Sequence, residues 1–143
     1  MWPTQLDLLK MPLNQPVRAV KLRWKNNRQN ADYFGAIQVV LSNGVESPVF
    51  FGRTQNADNL REIALSPEIK KIRGTKNGEW PTQVIFQNKA GDEIANMFCR
   101  RANFAADQDI NEEEIIGVYG HCNSHCSGLF KNLGFIVWVP PKV

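Results

Sequence analysis

The sequence predicts an all-β fold, and three observations support this prediction. Apolar and basic residues alternate strictly from Val20 to Trp24, which is the period of a strand with one buried face. Turn signals such as Asn43-Gly44 recur about every eight to twelve residues, a spacing typical of sandwiches and barrel-like folds. No segment shows the period of about 3.6 residues that an amphipathic helix requires.

The first predicted strands lie on either side of a hairpin turn. Residues 20–24 form the alternating strand, and the apolar residues 36–41 form a second strand that ends at Ser42-Asn43-Gly44. Asn and Gly tolerate the positive φ angles of a tight hairpin, so residues 45–52 are expected to form the return strand. Pro48 marks an edge or a bulge in that strand, because proline has no N–H to donate to a ladder.

The second half of the chain continues the same pattern. Further strands, each bounded by turn-forming residues, are predicted at 60–65, 69–74, 83–86, 93–98, 114–120 and 133–139. Residues 100–113 are polar and are predicted to be irregular. The segment before residue 17 is apolar but contains three prolines, so it is predicted to be too irregular for a strand. We expect it either to pack over a sheet or to dock onto a neighbouring subunit.

Length and composition limit the classes of function. With 143 residues the chain is long enough for one domain. Its net charge of +3, from 17 basic and 14 acidic residues, is too small to predict a nucleic-acid-binding face. The sequence contains no run of about 18 apolar residues, so it predicts no membrane-spanning segment. No P-loop, dinucleotide-binding or Gly-x-Ser-x-Gly motif occurs, so no enzymatic activity is expected.

Cysteine count and the N-terminal segment bear on the compartment. Three cysteines do not make a disulfide framework. The Pro-containing start of the sequence is a poor secretory signal. We therefore expect a cytoplasmic or other reducing intracellular compartment.

Three segments of the sequence resemble the jacalin-like lectin domain. These segments are FGAIQVVLSNGVESPVFFG, REIALSPEIKKIRGTKNGEWPTQVIFQNKAG, and the pair EEEIIGVYG and SGLFKNLGFIVW. The resemblance implies an all-β prism of three four-stranded antiparallel sheets with pseudo-threefold symmetry. It implies a jacalin-like domain at residues 17–143, preceded by an N-terminal arm at residues 1–16, and it implies no cofactor.

The resemblance also implies a carbohydrate site at one end of the prism. In this family the site uses a glycine near the start of the domain and a closing loop of form Gly-x-x-x-Asp. Counting four residues on from Gly128 gives Asn132, and counting back from the following strand gives Lys131, so the carboxylate is missing. No glycine precedes Gly35. The candidate ligand-binding residues, all within loop 120–132, are Gly120, His121, Asn123, His125, Gly128, Lys131 and Asn132.

The same loop contains the stretch HCNSHC, which suggests a metal site. Its four potential ligands are His121, Cys122, His125 and Cys126. Neighbouring side chains tend to point apart, so one ligand from each adjacent pair would make half of a zinc site that needs ligands from elsewhere. A Cys122–Cys126 disulfide in an oxidising compartment and a polar loop with two free thiols are the alternatives.

These observations lead to three hypotheses of function. The leading one is a non-enzymatic recognition module that serves as a structural or protein-interaction subunit, as a homo-oligomer or with a protein partner, and has an eroded sugar site. The second is a lectin that binds glycan through loop 120–132. The third is a metal-binding protein that uses the His/Cys loop.

Overall fold

The computed structural model describes residues 7–11, 17–27, 30–51, 58–77, 80–101, 104–110, 113–123 and 129–139. For residues 7–11, 50, 51, 104, 105, 121–123, 129, 131 and 132 it describes the backbone only. The described residues form strands and no helix, and hence no helix that could cross a membrane. The strands are β1 (Asp7–Met11), β2 (Ala19–Asn26), β3 (Phe34–Leu41), β4 (Phe50–Phe51), β5 (Arg61–Ala64), β6 (Lys71–Asn77), β7 (Trp80–Gln87), β8 (Glu93–Phe98), β9 (Phe104–Asp109), β10 (Glu114–Asn123) and β11 (Leu129–Trp138).

The strands form three sheets, which confirms the predicted all-β architecture. Sheet 1 has the strand order β1-β11-β10, sheet 2 the order β4-β3-β2-β5, and sheet 3 the order β8-β7-β6-β9. One detail of the prediction is wrong, because β1 runs parallel to β11 rather than antiparallel. The described residues of sheet 1 form three strands, and the predicted fourth strand of this sheet stays a prediction.

The inner faces of the three sheets share one hydrophobic core. Sheet 2 contributes Leu22 and Phe34, sheet 3 contributes Phe86, and sheet 1 contributes Phe130 and Phe135, all of them fully buried. The rings of Phe86 and Phe135 meet edge to face, with their centroids 5.6 Å apart and their planes at 79°. This contact joins sheet 3 to sheet 1 at the centre of the prism.

The outer faces of sheets 2 and 3 are polar, as the period of two predicts. Arg23 of β2 donates to Glu62 on β5 at 3.0 Å and to Glu46 at 2.6 Å. These hydrogen bonds raise the pKa of Arg23, and the bond from Arg23 lowers the pKa of Glu62. Lys21 and Arg23 of β2 therefore form ion pairs on a solvated face.

Two segments that were predicted to be irregular are strands. Residues 104–109 form β9, which pairs with β6 along its length; its polar residues suit an edge strand with one face in water, so pairing overrides their low β-propensity. Residues 7–11 form β1, in register with Gly134 to Trp138 of β11. The three prolines of the N-terminal segment lie outside residues 7–11, so they remove no donor from this ladder. The domain boundary at residue 17 and the docking of the arm onto a subunit stay predictions.

Candidate functional site

The prism has two distinct ends. At one end, a small cavity is bordered by residues that precede or open the strands β2, β6 and β10, namely Arg18, Ala19, Ile69, Glu113 and Glu114. The same three strands end together at the opposite end, at Asn26, Asn77 and Asn123. We call this second end the hairpin end, because β2, β6 and β10 are followed there by their antiparallel partners β3, β7 and β11.

The predicted binding loop 120–132 is largely strand. β10 continues through Asn123 and β11 begins at Leu129. The prediction that the strands end at residue 120 and resume at residue 133 is therefore wrong. The apolar pattern stops before the ladder does, because backbone pairing near a hairpin tip does not require apolar side chains.

A β-bulge lies in this hairpin at the position of the predicted site. His121 pairs with Asn132, whereas the next residue, Cys122, pairs with Phe130. Lys131 is thus the extra residue of β11, and such a residue changes the direction in which neighbouring side chains project. The count forward from Gly128 and the count back from the following strand differ by one residue. The strand register also shifts by one residue across this bulge.

The whole hairpin beyond Glu114 lacks a carboxylate side chain. No Asp or Glu follows Glu114 in the sequence, so the absence of an acidic residue does not depend on whether Asn132 or Lys131 occupies the family position. In the sequence, the polar residues of this hairpin include two asparagines, one lysine, two histidines and two serines.

The structure places five of the seven candidate binding residues near the hairpin end. Gly120, His121 and Asn123 lie on β10, and Lys131 and Asn132 lie on β11. The binding and metal predictions together name four further residues. His125, Cys126 and Gly128 lie outside the described residues, and Cys122 is described by its backbone only. Binding of a ligand by these residues therefore stays a prediction.

The zinc, disulfide and free-thiol alternatives also stay open. No group of three or more potential metal ligands occurs among the side chains that the structure describes. The side chains of His121 to Cys126 do not belong to that set. The finding therefore does not test the metal prediction.

A polar aromatic cluster at the hairpin end was not predicted from the sequence. The Asn77 side chain donates a hydrogen bond of 3.0 Å to the hydroxyl of Tyr33. The Tyr33 ring meets the Trp80 ring edge to face at a centroid distance of 6.4 Å. This cluster joins the β2–β3 and β6–β7 hairpins. In the sequence, the position of Trp80 after the turn at Asn77 and Gly78 is the one indication of this cluster, and Trp80 is half-buried.

An exposed ion pair, an arginine over a tryptophan ring and a thiol lie at the same end. Arg100 contacts Asp32 at 3.4 Å, and the Arg61 guanidinium lies 4.9 Å from the ring centroid of Trp24. Burial raises the pKa of the Cys99 thiol to about 12, while Arg61 opposes that shift and Asp32 adds to it. Cys99 is therefore a neutral thiol at physiological pH and a poor nucleophile.

An apolar cleft of about 450 Å³ opens between β3 and β10. Aliphatic side chains of sheets 1 and 2 line it together with one tyrosine, and the principal ones are Ile37, Val39, Leu41, Pro48, Ile116, Val118, Tyr119 and Leu133. The candidate residue Gly120 also borders the cleft. Sequence reasoning missed this feature, because it depends on how two sheets meet.

Comparison with solved structures decides the fold. A prostate-specific glycoprotein lectin matches with a TM-score of 0.64 and 17% identity, over 92% of this chain and 89% of that one. Jacalin in its complex with melibiose matches with a TM-score of 0.55 and 12% identity, over 88% and 94%. The chain has the β-prism fold of the jacalin-related lectins.

The predicted resemblance is thus confirmed for the fold. The lamprey immune protein also contains a similar unit, with a TM-score of 0.62 and 18% identity over 87% of this chain. This chain covers 37% of that protein's length. No protein-family model matches the sequence, and no curated protein matches it.

Proposed function

We propose that the protein is a non-enzymatic recognition module that binds carbohydrate at its hairpin end. The likeness in fold to lectins, over about nine-tenths of the chain, is the observation that carries this proposal. One of those lectins, jacalin, forms a complex with a disaccharide. The β10–β11 hairpin presents several uncharged polar residues and a glycine at one end of a rigid β scaffold, where recognition residues commonly occur.

The mode of binding follows from the missing carboxylate. The Asn132 amide both donates and accepts hydrogen bonds, whereas Lys131 only donates. A neutral hydrogen bond contributes about 0.5–1.5 kcal/mol, and a charge-assisted one about 1.5–3 kcal/mol. Replacement of a carboxylate by an amide therefore weakens sugar binding by one or two factors of about ten. We infer a weak site that depends on neutral and backbone groups.

Binding of immobilised glycans tests the proposal. The wild-type protein is applied to an array of galactose- and mannose-terminated oligosaccharides, and bound protein is eluted with the free sugar. We expect retention that free sugar reverses and that Asn132→Ala abolishes. Lys89→Ala is the matched control, because exposed Lys89 follows β7 at the opposite end of the prism. Failure to bind any glycan, or binding that Asn132→Ala leaves intact, would contradict the proposal.

A second candidate function is that of a structural or protein-interaction subunit in a larger assembly. The apolar cleft between β3 and β10 favours it, because apolar recesses of this kind form interaction sites. The two functions are compatible, since the cleft and the hairpin tip are different parts of the prism. Glycan binding that persists when the cleft is altered would separate them.

A further inference from the structure

Charge is distributed unevenly between the two ends of the prism. The register places the start of β5 and the end of β8 at the hairpin end, since Arg61 pairs with Trp24 and Phe98 pairs with Gln83. The described segments at this end contain six Lys or Arg residues and two Asp or Glu residues, and these segments are 24–27, 30–34, 58–61, 75–77, 80–82, 98–101, 104, 121–123 and 129–132. The hairpin end is therefore net positive.

The opposite end has the reverse balance. Its described segments contain seven Asp or Glu residues and four Lys or Arg residues, and these segments are 17–19, 42–47, 65–71, 87–93, 109, 110, 113 and 114. The net charge of +3 for the whole chain thus conceals a separation of charge along the prism. A surface on which one sign of charge dominates attracts ligands of the opposite sign.

Two arginines of the hairpin end lie close together where sheets 2 and 3 meet. Arg61 opens β5, and its guanidinium lies 4.9 Å from the ring centroid of Trp24, a contact that holds it in place. Arg100 follows β8, and its backbone N–H donates to the Thr82 carbonyl at 3.1 Å. Cys99 lies between them, because Arg61 opposes the rise in the pKa of Cys99 and Arg100 is the next residue.

Both guanidinium groups retain donors for a ligand. A guanidinium has five N–H donors in a planar fork that matches the paired oxygens of an oxyanion. The ion pairs among the described residues do not include Arg61. Arg100 contacts Asp32 through one nitrogen at 3.4 Å, and both side chains are exposed, so that ion pair is weak and screened by water.

We propose that the hairpin end binds an acidic glycan, with Arg61 and Arg100 as the residues that bind its sulfate or carboxylate groups. The inference rests on the proposed carbohydrate binding and adds the chemical class of the ligand. The β10–β11 hairpin binds hydroxyl groups of the glycan, and the two arginines bind acidic groups of the same glycan chain.

The missing carboxylate of the β10–β11 hairpin agrees with an acidic ligand. A carboxylate in this hairpin would attract the hydroxyls of a neutral sugar but repel an anionic one, and such repulsion is a common source of specificity. No Asp or Glu follows Glu114, and the two positions that could correspond to the family's acidic residue are Lys131 and Asn132. Neither residue type repels an anion.

Binding of the full chain to three polysaccharides tests the inference. They are a sulfated galactan, the same galactan after chemical desulfation, and polygalacturonate, which carries carboxylates in place of sulfates. Surface plasmon resonance is expected to show binding of at least one acidic polysaccharide about tenfold or more tightly than of the desulfated galactan, and the tighter of the two identifies the anion. Raising NaCl from about 0.05 M to about 0.5 M should weaken the acidic binding and leave the neutral binding unchanged.

Three variants with the same change of charge locate the site. Arg61→Gln and Arg100→Gln are each expected to weaken binding of the acidic polysaccharide about tenfold. Lys89→Gln is the matched control, because Lys89 is exposed at the opposite end, and it is expected to change that affinity less than about twofold. Binding of the desulfated galactan is expected to be the same in all three variants, and circular dichroism checks their folding independently.

Equal affinity for the acidic and the desulfated polysaccharides would overturn the inference and leave the proposed carbohydrate binding intact. Failure to bind any of the three would overturn both. A single-stranded nucleic acid that binds as tightly as the acidic polysaccharide would also overturn the inference, because charge alone would then determine binding. So would wild-type affinity in both arginine variants, or a loss in Lys89→Gln as large as theirs.

Discussion

The contact between Phe86 and Phe135 gives the sharpest test of the prism, because it joins two sheets that are far apart in sequence. Both side chains are fully buried, and their rings meet edge to face at 5.6 Å. Phe→Leu removes three carbons, which corresponds to about 2 kcal/mol at roughly 0.8 kcal/mol per buried methylene. Loss of the ring pair adds about 1 kcal/mol. Each single variant should therefore lose about 3 kcal/mol, and the double variant about 5 kcal/mol rather than 6.

Equilibrium urea unfolding, followed by tryptophan fluorescence, measures this non-additivity of about 1 kcal/mol. The control combines Phe135→Leu with Phe34→Leu, whose ring packs on Trp24 at 5.7 Å, and this pair is expected to be additive. If the Phe86 and Phe135 variants are additive to within about 0.3 kcal/mol, sheets 1 and 3 do not pack through these rings and the described core is wrong.

Two further predictions concern buried polar groups. The hydroxyls of Thr75 and Thr82 are 2.8 Å apart and buried. Thr82→Val should lower the free energy of unfolding by about 1–3 kcal/mol, because it leaves the Thr75 hydroxyl unpaired. Adding Thr75→Val should recover part of that loss, and urea unfolding measures both changes. The pKa of Cys99 is raised from 9.0 to about 12, so folded and unfolded states are both protonated below pH 9, and above it the unfolded state loses its proton first. Stability should therefore fall by up to about 1.4 kcal/mol per pH unit as the pH rises from 9 towards 12. Cys99→Ala should lack this part of the pH dependence, and equal slopes in the two proteins would contradict the assignment.

The sequence predicts the fold well where side-chain alternation and tertiary environment agree. β2 and β8 lie close to their predicted positions because each alternates or is bounded by clear turns. β1 and β9 were missed for a common physical reason. Their residues are Pro-flanked or polar, and they become strands only because β11 and β6 offer backbone partners, which no local pattern reveals.

The candidate site was predictable in its composition but not in its geometry. The missing carboxylate is evident from the sequence alone, since no acidic residue follows Glu114. The bulge that separates Lys131 from the register of Asn132 depends on hydrogen bonding between β10 and β11.

Titration calorimetry of Asn132→Asp tests the central claim most directly. The claim is that the hairpin end is a lectin site that lacks its anionic acceptor. Asn132→Asp supplies that acceptor on β11, and Lys131→Asp supplies it at the bulge as the matched control. We expect Asn132→Asp to bind the preferred monosaccharide about ten to a hundred times more tightly than the wild type, with Lys131→Asp unchanged or weaker. Equal affinity of Asn132→Asp and wild type, or a gain in Lys131→Asp alone, would contradict the account.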